Sequence, residues 1–225
     1  MVWPRPTPRR ARHHDHRATS PALALTGCIG PRVSFSSSSQ PGLAVDAGLV
    51  GVILHTDEVS TAAGLADLDR DVAMRPGGRS PIASNSRMAI GLVSAMLHEE
   101  GVDLDAPLAE VLAGPVVTRI DGAGQVTLRQ LLTHEAGLYD DLASDGFWDA
   151  VEADRSRRWT EAVALVYAYD EPASFPPGDD WESSNPNDLL AGLVLDAATG
   201  AQHAVAIRER ILDPLGLQDT SYEHA

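Results

Sequence analysis

The chain's reactive inventory is marked first by an absence. All 17 basic residues are Arg, and the sequence contains no Lys. A buried lysine can lose its proton near neutral pH, but a guanidinium, with a pKa above about 12, cannot act as a base. Ser84 sits three residues before Arg87 in the run IASNSR (residues 82–87), where an apolar helical pattern begins. A serine there is either a nucleophile or a helix-end residue that caps or packs. As a nucleophile it needs a group to take its proton, and Arg87 is not one. His134 reads as a general base or as a packed histidine. Cys28 is the only cysteine, which excludes an intrachain disulfide and a Cys-based zinc site. His13, His14 and His16 can catch a metal, but a solvated tract is the simpler reading. No metal or cofactor is implied.

These residues must be held by elements that the patterning predicts. Residues 48–55 (GLVGVILH) form a short apolar run that reads as a buried strand. Thr56-Asp57 turns the chain, and residues 58–65 pair back as a hairpin. Residues 70–81 are a breaker-rich loop. Residues 88–99 (MAIGLVSAMLHE) are apolar on nearly every side, so this helix is expected to be buried. Gly101 stops it. A short helix over 105–112 has Pro107 near its start. Thr127-Leu128-Arg129-Gln130 is a capping box that opens another. Thr160 caps a helix over 161–168, and Pro186 suits the first turn of one running to Ala198, stopped by Gly200. The last helix spans about 201–212. Two strands alone do not make an independently stable sheet.

Charge is distributed unevenly. Residues 1–40 hold six Arg and one acid, Asp15, for +5, so the total of -15 leaves -20 on the remainder. An acidic body repels nucleic acid and anionic membrane, and no nucleic-acid partner is expected. No apolar run approaches the roughly 20 residues that span a bilayer, so the body is expected to be soluble. Residues 1–41, rich in Pro, Arg, His and Ser, read as a disordered leader. Leu25-Thr26-Gly27-Cys28 has the form of a lipoprotein cleavage box. The apolar stretch before it is short and follows Pro21, so an incidental cysteine is preferred.

Five ordered segments resemble one family, the β-lactamase-related serine hydrolases, which includes class C β-lactamases, D-Ala-D-Ala carboxypeptidases and penicillin-binding-protein-like esterases. They are IASNSR (82–87), EEGVDLDAPLAEVL (99–112), VTLRQLLTHEAGL (126–138), FPPGDDWESSNPNDLLAGLVLDAATG (175–200) and DPLGLQDTS (213–221). The resemblance implies an α/β (α+β) β-lactamase/transpeptidase-like fold over residues 42–225: a mostly helical part plus an N-terminal β-hairpin. The third family motif and its C-terminal strands would follow Ala225, so an incomplete domain is expected. It implies acyl transfer through Ser84 on a small-molecule or peptide ester or amide, and an extracytoplasmic location. Arg87 stands where the family has the Ser-x-x-Lys lysine. Ser183 stands where it has the tyrosine of Tyr-x-Asn, and Asn185 matches the asparagine. A hydroxyl without a neighbouring base does not replace a phenol of pKa about 10, so weak or lost activity is expected. The alternatives are a non-catalytic homologue that grips a carboxylate through Arg87, or a truncated gene product.

Overall fold

The computed structural model describes residues 40–222. The leader, Cys28 and the three-histidine tract fall almost wholly outside them. The chain forms two compact units that divide after Gly78.

The first unit is a small antiparallel sheet with a helix. α1 (Gln40–Asp46) precedes β1 (Gly51–His55), β2 (Ser60–Asp67) and β3 (Val72–Ala73), in sheet order β1-β2-β3. The expected hairpin is present, with Gly51 opposite Gly64 and His55 opposite Ser60. Thr56 builds the turn: its hydroxyl accepts from the Glu58 and Val59 amides. The third strand and α1 were not predicted. β3 falls in the segment read as loop, because two residues carry no alternation to detect.

The second unit is helical. A 3₁₀ turn (Ala83–Ser86) leads into α2 (Arg87–Glu99). α3 (Leu108–Val111), α4 (Pro115–Thr118), α5 (Leu128–Thr133), α6 (Asp145–Ala153) and α7 (Glu161–Leu165) follow. α8 (Asn185–Thr199) and α9 (His203–Ile207) complete it, α9 running on into a π-helical turn over Arg208–Leu212. The core collects Ile90, Val93 and Leu97 of α2, Leu131 of α5, Leu190 and Leu195 of α8, and Ile207 of α9. Each fully buried leucine contributes about 2 kcal/mol. α4 and α6 were not predicted. α2 departs from expectation in another way. Its Ile90–Leu97 stripe is buried, but Met88 and Leu92 are 74% and 46% exposed. Apolar composition reports what a helix is able to bury; coverage depends on what packs against it.

The capping box holds: the Gln130 amide donates to the Thr127 hydroxyl, and the Thr127 amide donates to Gln130 Oε1 at 3.0 Å. Thr127→Ala removes one of these bonds and should lower stability by about 1 kcal/mol, read as a shift in the urea midpoint at constant slope. Among the described residues no single helix is long and apolar enough to cross a membrane.

Candidate active site

A cleft of about 280 Å³ opens in the helical unit, lined by Ser84, Arg87, Asn185, Asp188, His203 and Tyr222 among others. Three of the four predicted site residues thus share one cavity. The fourth, Ser183, touches it through Arg87.

The turn that carries Ser84 is tied down by its neighbours. Asn85 Nδ2 donates to Ile82 O at 3.0 Å, and Ser86 Oγ donates to Ala83 O at 2.8 Å. Ala83 adopts a φ of +45°, a conformation costly for a residue with a Cβ. Ser84 is left over. Its side chain is exposed, and among the described residues its hydroxyl has no hydrogen-bond partner. The local structure therefore spends the neighbouring polar side chains on the turn and leaves this hydroxyl exposed.

Arg87, one helical turn along, is fully engaged on one side. Its Nε stands 2.7 Å from Asp188 Oδ2, a contact of charges without hydrogen-bond alignment. Its Nη1 lies 3.4 Å from Ser183 Oγ and 3.3 Å from His134 Nε2. A guanidinium only donates, so His134 Nε2 must accept, and Nδ1 carries the proton. The Asn187 side-chain amide lies 2.9 Å from that Nδ1. The amide oxygen therefore belongs on the histidine side, which also gives Asn187 Oδ1 the partner it otherwise lacks. Burial, and then the Arg87 charge, hold His134 below the usual imidazole range. With both ring nitrogens committed, His134 is a strut between α8 and Arg87, in accord with the packed-histidine reading.

His134 is placed by a backbone ladder between two loops. It ends α5 with a φ of +60°. Ser174 N donates to Gly137 O, Gly178 N to Glu135 O and Glu182 N to His134 O, at 2.8, 2.8 and 3.0 Å. These bonds bring the residues just before Ser183 against the His134 turn. Asn185 then starts α8. Its backbone N–H donates to Asp140 Oδ1 at 3.0 Å, and its Nδ2 donates to both oxygens of Asp141 at 3.0 and 3.2 Å. Asp141 is fully buried. Asn185 is therefore occupied in holding a buried carboxyl while its residue lines the cleft.

Sequence reasoning missed Asp188, Asp141, His203 and Tyr222. Asp188 was the findable one: it lies three residues after Asn185, on the same face of α8. His203 comes from α9 and is packed against Gly192, whose added Cβ would sit 3.0 Å from the ring. Its Nδ1 is 2.9 Å from Asp196 and its Nε2 is 3.7 Å from Glu161. Tyr222 lies edge-on to the ring at 5.2 Å. Burial, with Glu161, Asp188 and Asp196 nearby, pushes the Tyr222 phenol up to about 12. No group of His, Cys, Asp and Glu among the described residues forms a metal site.

Burial likewise pushes the Asp141 and Asp188 carboxyls up to about 6 from an ordinary 3.8. In the folded state they bind protons that the unfolded chain releases between about pH 4 and 6. Stability therefore falls as pH rises through that window. Exposed Glu100, Asp105 and Asp170, lowered by their Arg partners, act oppositely and weaken the fold only at lower pH. Urea unfolding should show the Asp141 and Asp188 contribution as a loss of stability between about pH 4 and 6, partly offset by His134, whose lowered pKa acts in the opposite sense.

The chain is 30% identical over 194 residues to esterase EstB of Burkholderia gladioli, covering 79% of this chain and 47% of that protein. It is 32% identical over 176 residues to a D-aminopeptidase of Cereibacter sphaeroides, covering 76% and 32%. A D-stereospecific amidohydrolase from Streptomyces sp. superposes with a TM-score of 0.67 at 28% identity, over 81% of this chain and 54% of that one. The chain thus spans about half or less of the length of these relatives. The fold is of the β-lactamase/transpeptidase type, here in its helical portion and a small antiparallel sheet. The family profile described as "Beta-lactamase" matches residues 36–225, and on that match the chain belongs to the beta-lactamase family.

Proposed function

We propose that the chain is a slow serine acyl hydrolase that opens an ester or amide of a small molecule or peptide through Ser84. One observation carries this reading: the Ser84 hydroxyl is exposed and, among the described residues, without a hydrogen-bond partner at the wall of a cleft, on a turn whose other side chains are used to fix it. Its relatives, an esterase, a D-aminopeptidase and a D-stereospecific amidohydrolase, support acyl transfer as the reaction class. Slowness follows from the residues beside the serine. Arg87 cannot take a proton, and Ser183 offers no phenol. The alternative, a binding protein that grips a ligand carboxylate through Arg87, has less support, because Asp188 already serves as that carboxylate.

The test is hydrolysis of p-nitrophenyl acetate and of D-alanine p-nitroanilide by the full chain and by Ser84→Ala. We expect measurable ester turnover that falls at least about 10-fold in the variant. Equal rates for the two proteins would reject the reading.

A further inference from the structure

The proposed reaction leaves a question that the cleft itself answers: where the Ser84 proton goes in a chain without lysine. We propose that Asp188 is the proton acceptor for Ser84, a carboxylate doing the work that Arg87 is unable to do. This inference rests on the reading of Ser84 as nucleophile.

The titratable groups lining the cavity are Arg87, Glu161, Asp188, His203 and Tyr222. Arg87 stays protonated at any ordinary pH. Tyr222 is pushed up to about 12, so its phenol holds its proton near neutrality. His203 is 1% exposed, with Asp196 at one ring nitrogen and Glu161 facing the other. His203 and Glu161 thus face each other, with Asp196 at the far ring nitrogen, whereas Asp188 faces Arg87, the residue one helical turn from Ser84. Asp188 remains. It projects from the first turn of α8 beside Asn185 and shares the cavity wall with Ser84. Its only charged neighbour within ion-pair distance among the described residues is Arg87, through Nε.

The Asp188 environment suits a base. Burial raises its affinity for a proton, and Arg87 opposes that rise. The balance sits near 6, high enough to accept a hydroxyl proton in the transition state and low enough to be ionised at neutral pH. Oδ2 is held in the 2.7 Å ion pair with Arg87, so the other oxygen, Oδ1, is the one that takes the proton. Arg87 then acts as a positioning residue that keeps Asp188 charged.

The steps balance without any added reagent. The Ser84 Oγ–H proton passes to the Asp188 carboxylate as Oγ bonds to the substrate carbonyl carbon. The bond from that carbon to the leaving oxygen or nitrogen breaks, and the leaving group takes the proton from Asp188. Water then attacks the acyl carbon, giving its proton to Asp188. The Oγ–C bond breaks, Oγ recovers the proton, and the carboxylic acid departs.

The experiment measures p-nitrophenyl acetate hydrolysis by the full chain from pH 4.5 to 9, read at the isosbestic wavelength of the nitrophenol. Wild type, Asp188→Asn, Asp188→Glu and Ser84→Ala are compared, with thermal unfolding as a check on folding. The wild-type rate should rise about 10-fold per pH unit below about 6 and level off above it. Asp188→Asn should lose about 30-fold or more and its rise near pH 6, while Asp188→Glu keeps part of both. A flat wild-type profile between pH 5 and 8 overturns the inference even where Asp188→Asn fails to fold. An Asp188→Asn protein with the wild-type profile, alongside an inactive Ser84→Ala, overturns the inference and leaves the serine reading standing. Ser84→Ala equal to wild type overturns both.

Discussion

Gly137→Ala is expected to be the most damaging single substitution in the helical unit, costing about 4 kcal/mol or more and removing any activity with it. Gly137 is buried and has a φ of +68°. A Cβ built there meets the carbonyl oxygen of Phe175 at 2.0 Å and its ring at 2.9 Å. The first obstacle is backbone, so no side-chain rotation relieves it. The only relief is to part the two loops, which breaks the Ser174–Gly137 bond and strains the bonds to Glu135 and His134. Those bonds position Ser183 and Arg87's support, so stability and site fail together. Gly200→Ala is the control. It has nearly the same φ, +70°, but nothing within 4 Å of the added Cβ. It should cost only about 1 kcal/mol of conformational strain. Urea unfolding of both variants separates the clash from the strain, and similar losses in the two would show that loop contact is not what Gly137 provides.

Arg87→Met should cost about 2–4 kcal/mol at pH 7.5 and much less at pH 5. The methionine fills comparable volume but leaves the half-buried Asp188 without its cation, and frees Ser183 and His134 from their shared donor. Burial is the larger influence on Asp188 and already raises its pKa to about 6; without Arg87 it rises further. The sign follows. A folded pKa above the unfolded value means the folded chain holds an extra proton, so the variant loses stability as pH climbs through and beyond 6. At pH 5 Asp188 is protonated in the variant and the missing cation matters little. Arg87→Lys keeps the charge but loses the planar fork, and should fall between. Chemical denaturation at the two pH values measures this, and a pH-independent loss would mean that Arg87 acts by packing alone.

What the sequence made legible followed locality. The Thr127–Gln130 box, the Thr160 cap, the Pro186 start and the Gly200 stop of α8 are decided within four residues, and all are present. The β1–β2 hairpin was readable because Thr56 supplies its own turn bonds. α4 and α6 lack any side-chain cap bond, and β3 has two residues; such elements exist through tertiary contact. The site divided in the same way. Ser84, Arg87 and Asn185, which line one cleft, could be named from sequence because they sit in ordered segments resembling a family. His203 could not, because its meaning depends on where α9 meets the Ser84 turn; Asp188 was within reach by its spacing from Asn185, but only the fold shows that it faces Arg87. Arg87 changed most between sequence and structure. From sequence it was a lost base or a hook for a ligand carboxylate; in the fold it has a carboxylate of its own.

The most direct test of the central claim, that Ser84 is an open nucleophile in this cleft, is covalent labelling. The folded full chain is treated with a fluorophosphonate at pH 7.5, and the adduct is located by intact mass and peptide mapping. A single adduct on Ser84, formed slowly and abolished by prior unfolding in urea, is the predicted result. No adduct on folded protein, or one equally distributed over other serines such as Ser86 and Ser183, would contradict it.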